Sequence, residues 1–200
     1  YIIVLAKGAE SYVKDRGAKN IKWLPNGADL NLFEFCDLPP EEKQFNFKRP
    51  FKILYAGAHG HVNGLENIIQ AANLLREEPI KFIFVGDGPE KNKLKKIAKA
   101  NYLNNVEFLD PIPKLKIPSL MKESDAILLS LEDVKLFRYG VSPNKLYDAY
   151  ALGRPVITTV PGTINEEVNQ NKLGFTAIPG EPNSLVMAVK KLIGCSRIER

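Results

Sequence analysis

The 200-residue chain is poor in the side chains that build covalent or metal frameworks: two cysteines, two histidines, one tryptophan. Cys36 and Cys195 alone make neither a disulfide scaffold nor a zinc site, which fits a reducing compartment. No apolar run approaches the roughly 20 residues of a membrane helix. The nearest, Ala126 to Leu131, is strand-sized. No D-x-D occurs, so the simplest acidic device for a magnesium diphosphate is missing. The fingerprint G-x-G-x-x-G is also absent, which disfavours a nicotinamide dehydrogenase. No internal repeat or low-complexity tract is found. Hydrophobic residues at 44% and charged residues at 26% exclude disorder, collagen and coiled coil.

The net charge of +5 allows weak attraction to phosphates or to an anionic membrane surface, and no nucleic-acid partner is expected. Tyr1-Ile2-Ile3-Val4-Leu5 is an apolar run with no basic segment ahead of it, unlike a secretory signal. Both ends read as cut from a longer protein.

Residues 1–50 suggest a strand (2–5), a helix near 9–16 and a strand near 20–24, then a polar stretch with Pro39-Pro40 and Pro50 that resembles a linker. From residue 51 apolar runs alternate with amphipathic stretches. Strands are expected at 52–56, 81–85, 106–109, 126–129, 155–158 and 175–178. Helices are expected from Leu65, after Gly88, and near 118–123, 143–152, 164–171 and 183–193. Strands apolar throughout, between amphipathic helices, predict a Rossmann-like, doubly wound parallel α/β sheet covered on both faces. Ligands of such sheets bind outside the carboxyl ends of the strands.

The first strand-to-helix loop reads Gly57-Ala58-His59-Gly60-His61-Val62-Asn63-Gly64. Glycines let backbone N–H groups approach a phosphate, and a helix start adds a positive dipole end. A ligand-free tight turn is the plainer alternative. Gly86-Asp87-Gly88-Pro89 repeats the geometry, with the same alternative. His59 and His61 could suggest a metal pair, but zinc needs three or four ligands and nothing nearby completes the set. A loop histidine donating a hydrogen bond is the expectation, and no metal is assigned.

The richest segment runs from Arg138 to Pro155. Ser142 is read as N-cap and Pro143 as first helical residue. Asn144, Lys145 and Asp148 then share one side of the helix. A cation and free N–H groups at a helix start suit a diphosphate; a carboxylate one turn deeper suits the two ribose hydroxyls. The alternative is a solvated Lys145–Asp148 pair.

Six strings, in order, carry a resemblance: Pro25-Asn26-Gly27-Ala28-Asp29; Gly86-Asp87-Gly88-Pro89; Asn105 to Leu109; Lys145 to Pro155; Pro155-Val156-Ile157; Leu173-Gly174-Phe175. The chain resembles the carboxyl-terminal, donor-binding half of family 4 GT-B glycosyltransferases, the retaining group. Tyr55 to Glu66 and Ser142 to Leu146 look closest to a branch that builds bacterial capsule and O-antigen repeats and includes enzymes similar to N-acetyl-L-fucosaminyltransferases.

The resemblance implies that residues 1–24 end the amino-terminal half, 25–50 link, and 51–200 bind a nucleotide-sugar, a UDP-sugar by expectation. It implies a cytoplasmic enzyme, needing no metal or other cofactor. Its further partners are the missing amino-terminal half and a saccharide or lipid-linked saccharide acceptor. Gly57, His59, Gly60, Asn63, Gly86, Gly88, Ile112, Arg138, Ser142, Asn144, Lys145 and Asp148 are the donor-site candidates, with the base against Ile112 and Lys145 stabilising the leaving diphosphate.

The sequence departs from the family pattern. Of the family's E-x7-E, Asp148 keeps a carboxylate at the second position, and Gly140 stands at the first. The usual diphosphate-binding Arg and Lys are Ala58 and Asn63. Lys145, Arg138 and the Ser142 helix start are the available replacements. Two rival readings stay open: a sugar-nucleotide epimerase on the same fold, and a non-catalytic nucleotide-binding module.

Overall fold

The computed structural model of the chain describes residues 1–34 and 49–195. Two short parallel strands, β1 (Ile2–Val4) and β2 (Ile21–Trp23), are joined through helix α1 (Ala9–Lys14). A single-turn helix, α2 (Asn31–Glu34), follows. Pro39-Pro40 and Cys36 of the expected linker lie outside the described residues.

From residue 51 strands and helices alternate strictly. They are β3 (Phe51–Ala56), α3 (Leu65–Leu74), β4 (Ile80–Val85), α4 (Lys91–Ala100), β5 (Val106–Leu109), α5 (Ile117–Lys122) and β6 (Ala126–Leu129). Then come α6 (Asn144–Ala151), β7 (Val156–Thr158), α7 (Thr163–Gln170), β8 (Gly174–Thr176) and α8 (Pro182–Gly194). The six strands pair in parallel in the order β5-β4-β3-β6-β7-β8. The chain winds outward one way from β3 and then the other way from β6. Loops at the carboxyl ends of β3 and β6 therefore diverge and leave a crevice.

Alternation along each strand divides the core. Ile53 and Tyr55 of β3, with Phe82 and Phe84 of β4, pack against α3, α4 and α8 through Ile68, Leu94 and Val189. Leu54, Ile83 and Ile127 face the other way, against Met121, Leu146 and Val168 of α5, α6 and α7. Side chains such as Phe84 and Leu54 are fully buried, and each contributes about 1.5–3 kcal/mol relative to an exposed position. The apolar runs in the sequence thus reflect burial on both faces.

Three local readings are corrected. β8 stops at Thr176 instead of running to Ile178, because the Ile178 N–H turns to donate to Ser184 Oγ at 2.9 Å. α2 was not expected, since its single turn, Asn31-Leu32-Phe33-Glu34, is too short to show a helical period. The helix α6 begins at Asn144, with Pro143 in the N-cap position and no side-chain cap. Ser142 does not cap it: its Oγ accepts the Asn26 N–H at 3.0 Å and lies 3.1 Å from the Tyr147 hydroxyl.

Candidate functional site

The crevice is a cavity of about 640 Å³, within the usual range for a small-molecule site. β3 contributes Ala56 and Gly57, β4 Val85 and Gly86, and the loop after β5 Pro111, Ile112 and Lys114. The start of α6 adds Pro143, Asn144, Lys145 and Asp148. Ile117, Pro118, Met121 and Ile127 make an apolar wall; Asn26, Gly27, Asp29, Leu32 and Phe33 make a second, mixed one. That second wall is held to α6 by the Asn26 amide, which donates to the Ser142 carbonyl at 2.5 Å.

Glycine has a reason at Gly86. Its φ is +136°, and a Cβ there would run into the Gly57 carbonyl oxygen. The two strand ends pack main chain to main chain, and the cavity floor has no side chains at this point. A buried amine reinforces the floor. Lys91 Nζ donates to the Gly86 carbonyl at 2.8 Å, the Leu109 carbonyl at 3.0 Å and Asp110 Oδ1 at 2.8 Å. All three ammonium hydrogens are used, so Lys91 ties the loops after β4 and β5 together and offers nothing to a ligand. Those contacts in turn hold the Asp110 carboxyl below its ordinary range.

Lys145 is different. Its Nζ lies 4.3 Å from the centroid of the Tyr55 ring, a cation–π distance, and would sit 2.7 Å from a Cβ on Gly57. Among the described residues no carboxylate pairs with it. Burial alone lowers its pKa to about 8. Asp148, three residues on, is also partly buried, and desolvation raises its pKa against the opposing pull of Lys114. No ion pair between Lys145 and Asp148 forms among the described residues, so the solvated-pair alternative does not describe this helix. Two groups of opposite charge face one cavity, each made costly by burial and neither in an ion pair among the described residues; the Lys114 charge only partly offsets the burial of Asp148. That is the arrangement of a site whose ligand supplies the missing partners.

Of the twelve donor-site candidates, the structure brings Gly57, Gly86, Ile112, Asn144, Lys145 and Asp148 to the cavity. The others lie elsewhere. Arg138 is held by Asp133 in a two-pronged pair, at 2.9 and 2.6 Å, on the outer surface. Ser142 is occupied by Asn26 and Tyr147 as described. Asn63 Oδ1 accepts the Gly60 N–H at 3.2 Å within its own turn. Gly88 packs against the main chain of His59.

His59 is fully buried among Tyr55, Phe84 and Phe108, and its ring nitrogens have no hydrogen-bond partner among the described residues. The expected hydrogen-bonding loop histidine is therefore a packed core ring. Burial first, then the Lys91 charge, hold it below its ordinary pKa. Its main chain does the linking, donating to the Asp87 carbonyl at 2.8 Å and accepting from Glu90 at 2.9 Å. His61 points away to Glu90, 3.2 Å distant, so the two histidines do not converge.

Gly140 has φ +98°, and a Cβ there would lie 2.9 Å from Thr163 Oγ1 and 3.2 Å from Ala6 Cβ. A side chain at this position has no room. Residues the sequence reading did not assign to the site include Asn26, Leu32, Phe33, Met121 and Lys91. Only the Pro25-to-Asp29 string carried a signal for any of them.

Strand order, switch-point crevice and unpaired charges define a Rossmann-like α/β domain with a ligand cleft at its strand ends. Residues 39–200 match the family described as "Glycosyl transferases group 1", and the chain belongs to that family. It is 32% identical over 150 residues to WcaI of Escherichia coli (strain K12), covering 73% of this chain and 36% of that protein. It is 29% identical over 168 residues to the O-antigen biosynthesis glycosyltransferase WclY of Escherichia coli, covering 79% and 42%. The chain thus spans about half or less of the curated relatives it matches. Among solved structures it superimposes on Anabaena Alr3699/HepE, in complex with UDP and glucose, with a TM-score of 0.76. The identity is 22%, and the match covers 96% of this chain and 53% of that one. The fold is that of a GT-B Rossmann-like glycosyltransferase half.

Proposed function

We propose that this chain is the donor-binding half of a retaining glycosyltransferase that moves a sugar from a UDP-sugar to a saccharide or lipid-linked saccharide in bacterial surface-polysaccharide synthesis. The observation that carries the reading is the pair of unpartnered, partly buried charges, Lys145 and Asp148, in one cavity at the sheet's switch point. HepE, bound to UDP, and WclY, named for O-antigen biosynthesis, support the substrate class and the process.

In this reading the base lies against Ile112, between two prolines that have no N–H to offer. Asp148 accepts the ribose hydroxyls. Lys145, with the free N–H groups that open α6, meets the diphosphate and stabilises it as the leaving group. The lysine supplies the positive charge, so no metal is assigned to the step. Residues 1–24 are the end of the amino-terminal half, 25–50 the connection, and that missing half brings the acceptor. The chain alone binds nucleotide and transfers nothing. The enzyme works in the cytoplasm, with weak association at the membrane surface. Among the described residues no helix is long and apolar enough to cross a membrane.

Titration of uridine and UDP against wild type, Lys145→Ala and Asp148→Ala tests the assignment. Hydrogen bonds to a charged group contribute about 1.5–3 kcal/mol, so Asp148→Ala should weaken both ligands by about one to two decades. Lys145→Ala should spare uridine and weaken UDP, with a loss that shrinks in high salt. Equal affinities in all three proteins would remove the reading.

A further inference from the structure

Lys145 and Tyr55 belong to opposite faces of the sheet. α6 packs on the face of Leu54 and Ile127, through Leu146 and Ala149. The Tyr55 side chain belongs to the other core, with Phe84 and Leu65. The Lys145 side chain nevertheless ends over the Tyr55 ring, 4.3 Å from its centroid. It passes the carboxyl end of β3 beside Gly57, where a Cβ would lie 2.7 Å from Nζ. The lysine arm thus spans the end of the strand, and the missing side chain at Gly57 gives it passage.

The ring is a fixed platform. Tyr55 is 1% exposed. Its hydroxyl donates to the Ala58 carbonyl at 2.7 Å. His59 and Phe84 back the ring, with centroids 5.9 and 6.1 Å away. The lysine has the opposite character, a long flexible stem ending in a charge. Its ammonium makes no hydrogen bond or ion pair among the described residues, and the ring face is the contact that holds it.

We propose that Tyr55 is a positioning residue for the donor diphosphate, its ring face holding the Lys145 ammonium across the strand ends and aimed at the cavity floor. This role rests on Lys145 being the partner of the diphosphate, as read above. A ring face attracts a cation without neutralising it, so the ammonium keeps its charge and its hydrogens for a ligand on the open side. A carboxylate in that place would hold the lysine and consume its charge, as Asp110 does for Lys91 at 2.8 Å. Ordering the lysine ahead of binding removes that entropy loss from the binding step.

UDP and uridine titrations on Tyr55→Phe, Tyr55→Leu and Tyr55→Leu combined with Lys145→Ala are the test. Tyr55→Leu removes the ring and should weaken UDP about ten-fold, the cost of ordering a free lysine side chain, with uridine unchanged. Tyr55→Phe keeps the ring and should bind UDP at least about five-fold more tightly than Tyr55→Leu. In the Lys145→Ala background, Tyr55→Leu should cost UDP nothing further. A tyrosine that only fills the core would weaken both ligands alike, or weaken UDP equally with and without the lysine; either result would overturn the proposal. The wild-type protein supplies a check that needs no folded Tyr55 variant. In its NMR spectrum the Lys145 ε-methylene protons, assigned by their loss in Lys145→Ala, should be shifted upfield by the ring and stay so with UDP bound. The ordinary position of an exposed lysine would equally overturn it. A Lys145→Ala protein that binds UDP like wild type removes the donor reading and this role together. UDP weakened by Lys145→Ala and untouched by Tyr55→Leu removes this role alone.

Discussion

The Lys145 ammonium stands 4.3 Å from the centre of the Tyr55 ring, and no carboxylate among the described residues meets it. A ring face is a weak substitute for water, and burial lowers the lysine from 10.5 to about 8. The unfolded chain keeps this proton up to about pH 10.5 and the folded chain only to about 8. Between those values the unfolded state binds more protons, so stability rises with pH; below pH 8 the cost is constant, at most about 3 kcal/mol. A bound diphosphate favours the charged form and reverses the shift. UDP affinity should therefore be level below pH 8 and fall about ten-fold per unit above it. Calorimetry at pH 9 in two buffers of different ionisation heat should show proton uptake in wild type and none in Lys145→Ala. A buffer-independent heat in wild type would sink this account.

Asp148 should show a conflict between stability and binding. Desolvation raises its pKa, so folding favours the protonated acid, and the ionised form carries a cost at every pH above the raised value. Asp148→Asn removes that cost and also removes the charge and one of the two acceptor oxygens offered to ribose. The variant should melt at or above the wild-type temperature at pH 7 while binding uridine about ten-fold more weakly or worse. A lower melting temperature with unchanged uridine affinity would make Asp148 a structural residue.

Two neighbouring glycines should respond oppositely. In Gly57→Ala the new methyl meets the far end of the Lys145 side chain at 2.7 Å, which can shift, although a φ of +158° still strains an alanine. In Gly86→Ala it meets the Gly57 carbonyl, which cannot yield, at a φ of +136°. Gly86→Ala should cost about 3 kcal/mol of stability or more, and Gly57→Ala about 1. UDP affinity should fall in Gly57→Ala with a smaller loss of stability than in Gly86→Ala. Denaturant titration and UDP binding on both variants decide it.

Restoring the family's first glutamate should fail. Gly140→Glu would put a side chain at φ +98° against Thr163 Oγ1 and Ala6 Cβ. The strain alone is about 1–3 kcal/mol, before the clash is counted. The variant should be destabilised and should bind a UDP-sugar no better than UDP. Tighter sugar-nucleotide binding by a stable Gly140→Glu protein would show that the position is open.

Strands were legible because burial on both faces leaves continuous apolar runs such as Lys52 to Ala56 and Ala126 to Leu129. The alignment of Asn144, Lys145 and Asp148 on the cavity was legible from helical spacing alone. What escaped the sequence depends on partners distant in the chain. Ser142 has the composition of a cap, yet Asn26, 116 residues away, claims its hydroxyl. Arg138 has the charge for a phosphate, yet a single turn folds Asp133 back onto it. His59, flanked by small residues, gave no sign that three aromatic rings would enclose it. Lys91 reads as one of many surface lysines; only the meeting of two strand ends makes it internal.

The wall formed by Asn26, Gly27, Asp29, Leu32 and Phe33 lies before residue 39, where the family match begins. The stretch that matches the family and the unit that encloses a ligand therefore have different borders. Grafting residues 39–200 onto a foreign partner would transplant the sheet, Lys145 and Asp148, and leave one side of the cleft behind. A chimera's choice of donor would then depend on what its new neighbour lays across that opening, and exchanging residues 26–33 becomes a route to altering that choice with the sheet untouched.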